Sequence, residues 1–143
     1  MRCFDSGVLL KLYLPEPNAV QAVTLAQAAS SSPVLTPLHV LEMRSAIRQK
    51  QGRNEVTEAE CQALLSDFDQ DIANGFYIRA RPAWDNIFAR AETLSSQHTV
   101  STLCPTLDTL HVALALELGS TEFCTFDQRQ AAMARLAGLT VVS

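Results

Sequence analysis

The chain has little of what membrane spans, secretory signals and disulfide frameworks require. None of its 143 residues fall in an apolar run approaching the roughly 20 residues of a membrane-spanning helix. Asp5 interrupts the N-terminus too early for the apolar centre of a secretory signal. The four cysteines have no CxxC spacing, which favours reduced thiols over a disulfide framework or a zinc site. We therefore expect a cytoplasmic protein without a membrane segment.

An excess of positive charge is also missing. The chain has 11 Lys and Arg residues against 15 Asp and Glu residues, a net charge of −4. This balance argues mildly against the broadly basic surface of non-specific nucleic-acid binding. The basic residues are unevenly placed, because Arg44, Arg48, Lys50 and Arg53 closely follow Glu42. Helical spacing puts Arg44 and Arg48 on one side, either as a solvated face or as contacts for phosphates.

Apolar residues, in contrast, are plentiful at 48% and support one core in a single domain over residues 1–143. Short apolar segments alternate with helical patterns, which predicts right-handed crossovers and a mostly parallel, five-stranded sheet covered by helices on both faces. The polar stretch 98–106 contains Pro105 and is predicted to be a loop. The predicted strands are 1–5, 33–36, 76–78, 122–126 and 139–142, and the predicted helices are 8–14, 18–30, 39–51, 57–74, 82–97, 107–118 and 128–137.

Four acidic residues stand beside apolar stretches. Asp5 and Asp127 each follow a predicted buried strand, and Glu42 and Asp108 lie inside apolar helices. A carboxylate in such surroundings loses hydration worth several kcal/mol unless a cation or hydrogen-bond donors replace the water. If the first and fourth strands are neighbours, Asp5 and Asp127 face each other where ligands bind in parallel sheets. Oxygen ligands favour Mg²⁺ or Mn²⁺, so the pattern predicts a metal-dependent phosphodiesterase.

Each acid also has a structural interpretation that requires no ligand. Asp5 and Asp127 could be helix N-caps. Glu42 could extend from a surface helix into solvent or pair with a nearby arginine. Asp108 could gain about 0.3–1 kcal/mol from the dipole of its own helix. His111, one turn after Asp108, is predicted to be a core or supporting residue and not a metal ligand.

The sequence resembles a known family at four places in the expected order and spacing. Segments 5–9, 41–46, 107–113 and 125–129 look like the successive motifs of the PIN domain. The likeness is greatest to the small VapC-type toxins of bacterial toxin–antitoxin pairs, and it covers the whole chain. Each motif alone is weak, but the four together are specific.

This resemblance implies a three-layer α/β/α sandwich around a parallel sheet. It implies an endoribonuclease that uses Mg²⁺ or Mn²⁺ to cleave RNA, forms a homodimer and is inhibited by a cognate antitoxin covering its acidic groove. One departure from many relatives is the absence of a basic residue at 104–106, which leaves substrate contacts there open. By motif, the acidic quartet is Asp5, Glu42, Asp108 and Asp127, with Ser6 and Thr125 at supporting hydroxyl positions.

Other acid-site families fit less well. A haloacid-type phosphatase needs a second aspartate where this chain has Gly7. A receiver domain needs a lysine after a late strand, and the only lysines are Lys11 and Lys50. A Rossmann nucleotide binder needs a glycine-rich first turn. The alternative from another class is a non-catalytic PIN-like module that binds RNA or protein, and the intact acidic quartet argues against it.

Overall fold

Strands and helices alternate through the chain as the sequence predicts. The structure is a computed structural model and describes every residue from Met1 to Ser143. The strands are β1 (Arg2–Phe4), β2 (Val34–Leu35), β3 (Ile78–Arg79), β4 (Glu122–Cys124) and β5 (Thr140–Val142), and the helices are α1 (Ser6–Leu10), α2 (Ala19–Gln27), α3 (Pro37–Gly52), α4 (Glu58–Ala73), α5 (Trp84–Thr102), α6 (Thr106–Glu117) and α7 (Gln128–Leu136).

The five strands form two parallel sheets. One sheet has the order β1-β4-β5, and the other pairs β2 with β3. The parallel arrangement and the β1–β4 neighbourhood are confirmed by this topology. The prediction of a single five-stranded sheet is wrong, because β2 and β3 are only two residues long and share no hydrogen-bonded ladder with β1.

A histidine side chain makes a connection between the two sheets. The His39 Nδ1 atom accepts a hydrogen bond from the Thr36 backbone N–H at 3.2 Å, just after β2. Its Nε2–H therefore donates to the Phe4 carbonyl at the end of β1, at 3.1 Å. Burial, with a smaller effect of His111, lowers the pKa of His39 to about 3, so the ring is neutral as this tautomer requires. The carboxyl ends of β1 and β2 thus lie one imidazole apart.

Helices cover both faces of the three-stranded sheet. Cys3 of β1 and Phe123 of β4 pack into a core with α5, α6 and α7. The next residue of each strand, Phe4 and Cys124, packs into a second core with α1 to α4. Neighbouring strand residues point to opposite faces, so two apolar residues in succession require cover on both sides. The predicted α/β/α class is confirmed.

Three predicted boundaries are wrong for local reasons. Helix α5 continues to Thr102, so most of the predicted 98–106 loop is helical. Its polar residues are compatible with a helix because their hydroxyls bond within it, as Thr102 does to the His98 carbonyl at 2.9 Å. Helix α1 ends at Leu10 and a turn follows, instead of continuing to residue 14. Strand β3 begins at Ile78, two residues after its predicted start, and ends at Arg79.

The helices are too short or too polar to cross a membrane. The longest, α5, has 19 residues and carries three charged side chains, Asp85, Arg90 and Glu92. All four cysteines are buried as free thiols.

Candidate active site

Asp5 and Asp127 follow adjacent parallel strands and begin helices α1 and α7. Asp5 Oδ2 accepts a hydrogen bond from the Gly7 backbone N–H at 2.9 Å. Asp127 Oδ1 accepts from the backbone N–H groups of Arg129 and Gln130, at 2.8 and 2.9 Å. Both acids are therefore helix N-caps. Capping engages one oxygen of each carboxylate, so the capping and ligand interpretations are compatible.

Gln130 connects the acids and was not anticipated from the sequence. It is fully buried, and its Nε2 donates to Asp5 Oδ1 at 3.0 Å and to the Asp108 carbonyl at 3.4 Å. Its Oε1 accepts a hydrogen bond from the Thr125 hydroxyl at 2.5 Å. The same hydroxyl accepts from the Asp127 N–H at 3.1 Å, so Thr125 supports the last acid. A glutamine three residues after a capping Asp resembles a capping box, which conceals its role across the site.

Glu42 joins the site from helix α3. Its Oε1 accepts hydrogen bonds from the Ser6 hydroxyl at 3.1 Å and from His111 Nε2. The interpretation that Glu42 pairs with a nearby arginine is wrong, because its partners are a hydroxyl and an imidazole. His111 is buried and supports an acid, as expected for a residue that is not a ligand.

His111 is the positive counterpart within this acidic cluster. Burial opposes charge on its ring, but the hydrogen bond to Glu42 and the charges of Asp5, Glu42 and Asp108 raise its pKa above the ordinary value. Its Nδ1 is buried without a hydrogen-bond partner. Nε2 carries the proton that the ring donates to the Glu42 carboxylate.

Asp108 lies in the first turn of α6, and the charges of the other three acids affect its pKa. Burial raises its pKa, and the charges of Asp5, Asp127 and Glu42 raise it further, to about 6. No lysine or arginine forms an ion pair with any of the four acids. The four predicted residues thus share one electrostatic environment in which His111 is the only basic partner of an acid.

Arg44 and Arg48 do not join the acids. Arg44 pairs with Asp69 of helix α4 at 2.6 Å, and Arg48 is exposed. Both line a cleft on the other side of helix α3 from the contacts of Glu42.

With this geometry established, the comparisons decide the family. The PIN domain family model matches residues 2–136. The chain belongs to the PIN domain family. The crystal structure of FitAcB from Neisseria gonorrhoeae has a TM-score of 0.72 and 17% identity, covering 100% of this chain and 97% of that one. The structure of FitAB bound to the IR36 DNA fragment has a TM-score of 0.69 and 18% identity, covering 99% and 94%. A search of curated proteins gives no match.

The acids of this PIN domain fit a hard divalent cation. No three His, Cys, Asp or Glu side chains are grouped so that they could hold an ion directly. Mg²⁺ needs fewer, because it keeps several waters and usually takes only one or two carboxylates. The side-chain donors are carboxylate oxygens, and only Glu42 has a basic partner, His111. Burial and the charges of the neighbouring acids raise the pKa of Asp108, and a bound cation would favour its charged form. The residues present are therefore suited to Mg²⁺ or Mn²⁺.

The contact between Gly7 and Asp5 leads to a testable prediction. A Cβ atom at position 7 would lie 2.9 Å from Asp5 Oδ2, closer than ordinary van der Waals contact. We expect Gly7→Ala to push this carboxylate away and to reduce nuclease activity on the order of 10- to 100-fold, the size of effect that outer-sphere changes have at metal sites. The Asp5 side chain can rotate away from the new methyl group, so the melting temperature of the variant should change little. Gly52→Ala, where a Cβ meets nothing within 4 Å, is the control. Equal activity of the two variants would contradict the prediction.

Proposed function

We propose that this protein is a metal-dependent endoribonuclease and the toxin of a toxin–antitoxin pair. The observation that carries the proposal is a hydrogen-bond network at one sheet edge of a PIN domain, in which Gln130 bonds to Asp5, Asp127 and the Asp108 carbonyl and Ser6 bonds to Glu42. The resemblance of the four motifs to VapC-type toxins supports RNA as the substrate.

The chain's own residues would hold and orient the reacting groups. Asp5, Asp108 and Asp127 would bind Mg²⁺ or Mn²⁺ directly or through water, and the bound ion would lower the pKa of water and offset charge on a phosphodiester. Gln130 fixes the Asp5 carboxylate through its amide N–H. Glu42 completes the charge balance or positions the attacking water, because His111 and Ser6 engage only its Oε1 atom.

Metal binding has a readout that does not depend on activity. A ligand bound only by the folded state stabilises that state, so millimolar Mg²⁺ or Mn²⁺ should raise the melting temperature. At about 100 times the dissociation constant the gain is roughly 2.7 kcal/mol. Asp5→Asn should weaken this response, because it removes a negative ligand. A melting temperature of the wild type that is the same with metal and with chelator would contradict the metal site.

The RNase assignment is tested by cleavage of structured RNA with Mg²⁺ or Mn²⁺. We expect the wild type to cut and Asp5→Ala to be inactive while still folded. A metal-loaded wild type that cuts no RNA, but binds it, would favour the non-catalytic PIN-like module instead. A short upstream reading frame encoding a DNA-binding protein would support the antitoxin partner, whose segment we propose covers the acidic groove.

We also propose that the protein forms a homodimer, because two-fold dimers are the commonest assemblies and VapC-type toxins are typically dimeric. Apolar positions in residues 8–30 and 57–74 exceed what one small sheet needs for cover, which also favours an interface. Residues 57–74 leave no large apolar side chain exposed, whereas Val20 and Val23 of α2 are exposed, as are Val100, Leu103 and Leu107 near the junction of α5 and α6. Light scattering at micromolar concentration should give twice the chain mass, and a monomer would contradict the prediction.

A further inference from the structure

A second cleft of about 1180 Å³ lies at the carboxyl ends of β2 and β3, against helices α3 and α4. Its lining carries four arginines, Arg44, Arg48, Arg79 and Arg81, and a single acid, Asp69. The proposed catalytic acids are not part of this lining. The cleft is therefore a separate surface feature with its own chemistry.

The charge of this cleft is opposite to that of the whole chain. Only Arg44 has an acidic partner, Asp69, at 2.6 Å. Arg48, Arg79 and Arg81 are exposed and form no ion pair. A protein with a net charge of −4 thus places three uncompensated guanidinium groups in one cleft. Such an arrangement favours an anionic ligand, and guanidinium groups match phosphate oxygens in a bidentate manner.

The cleft also contains the only tryptophan of the chain. Trp84 is half-buried, packs against the core of α5, α6 and α7, and lines the cleft. Leu41, which is 65% exposed, and Pro82 add apolar surface beside it. An indole held by packing on one side is a suitable platform for a nucleic-acid base, because every base has a stacking face.

The cleft lies near the acidic site, because the carboxyl ends of β1 and β2 are connected through the buried His39 ring. Thr36 lines the cleft, and its N–H donates to His39, which in turn donates to the Phe4 carbonyl beside Asp5. Leu41 of the cleft directly precedes Glu42 of the acidic site. The basic cleft and the acidic site are therefore neighbours on either side of helix α3.

We propose that this cleft binds a single-stranded RNA segment next to the cleaved bond, with Arg48, Arg79 and Arg81 on phosphates and Trp84 stacked on a base. The inference rests on the proposed ribonuclease function and specifies where that substrate is held. An acidic peptide would match the arginines, but it would leave the indole without the flat partner that a base supplies.

Binding can be measured separately from cleavage by working in chelator. The probe is a short fluorescein-labelled single-stranded RNA, followed by anisotropy over a salt series and by fluorescence of Trp84. We expect RNA to quench the fluorescence of Trp84. The double variant Arg79→Gln/Arg81→Gln should have an RNA affinity lower on the order of tenfold. The pair should also reduce the slope of log affinity against log salt by about 1.4, or about 0.7 for each lost phosphate contact. Arg135→Gln removes an equally exposed, unpaired arginine at the end of α7 and should change neither value.

Equal RNA affinity of the double variant Arg79→Gln/Arg81→Gln and of Arg135→Gln would overturn the proposal. Unchanged Trp84 fluorescence at saturating RNA would overturn it as well. A double variant that keeps its RNA affinity but loses its dimeric state would assign the cleft to a protein partner and would also overturn the proposal. In the cleavage reaction, the double variant Arg79→Gln/Arg81→Gln should have a higher KM than the wild type and should largely retain its kcat at saturating RNA. Failure of the ribonuclease proposal is distinguishable, because it would appear as absent cleavage in the wild type with RNA binding in chelator intact.

Discussion

Asp108→Asn is expected to abolish RNA cleavage and, at the same time, to stabilise the metal-free protein. The loss of a charged metal ligand should reduce the cleavage rate on the order of 1000-fold or more, because the cation supports the chemistry. The gain in stability follows from the pKa of Asp108, which burial and neighbouring acids raise to about 6. Both effects have the same origin in a site that holds excess negative charge.

The pH dependence of this effect has a defined sign. The folded protein holds the Asp108 proton more tightly than the unfolded chain does, where an aspartate has a pKa of about 3.9. The stabilisation of the folded protein by this tighter proton binding is therefore fully present below about pH 4, and it is lost as the pH rises through about 6. Asp108→Asn removes that loss, so at pH 8 the variant should be more stable than the wild type in urea unfolding. Because Asp108 is only half-buried and solvent screens its neighbours, we expect a gain on the order of 1 kcal/mol.

The control for Asp108→Asn is Asp85→Asn, which changes an exposed acid in the first turn of α5. This variant should keep full cleavage and lose at most about 1 kcal/mol of helix-dipole stabilisation. Persistent cleavage by folded Asp108→Asn would exclude Asp108 from the metal site. A variant less stable than the wild type at pH 8 would contradict the account of repulsion.

Gln130→Glu is expected to be the most destabilising single change at the site. The buried amide N–H that donates to Asp5 at 3.0 Å would become a carboxylate oxygen facing another carboxylate. An uncompensated buried charge costs about 3–5 kcal/mol, and the Asp5 oxygen would also lose its donor. Protonation of the new glutamate restores a donor, so the destabilisation measured by urea unfolding should shrink as the pH falls from 8 to 5.

Gln128→Glu is the matched control for Gln130→Glu. It introduces the same charge on the same helix turn, but at an exposed position at the start of α7. Its stability should be unchanged or slightly higher because an acid is favoured at a helix N-terminus. Equal effects of the two substitutions would show that Gln130 does not hold Asp5.

Much of the fold follows from local sequence patterns. Asp5 and Asp127 each end an apolar segment that can only be a short buried strand, and the alternation with helices requires parallel pairing. The sequence could not predict that β2 and β3 form a separate sheet, because the link to β1 is the side chain of His39. It also could not show that the polar end of α5 is helical, since Thr102 is satisfied by a bond to His98 within the helix.

The site was predictable where an acid follows a strand and less so where polar groups meet from distant parts of the chain. Gln130 acts on Asp5 across 125 positions of sequence, and His111 acts on Glu42 across 69. Nothing in the local pattern of either residue indicates its partner. The side of α3 that faces the acids is likewise set by packing, which turns Arg44 towards Asp69.

We propose that these carboxylates hold a divalent cation that RNA cleavage requires. The most direct measurement is the initial rate of cleavage of one end-labelled structured RNA by protein stripped with chelator and then returned to Mg²⁺ or Mn²⁺. The account predicts no cleavage in chelator, recovery after metal is restored, and no recovery for Asp108→Asn. Cleavage that continues at the wild-type rate in chelator would contradict it.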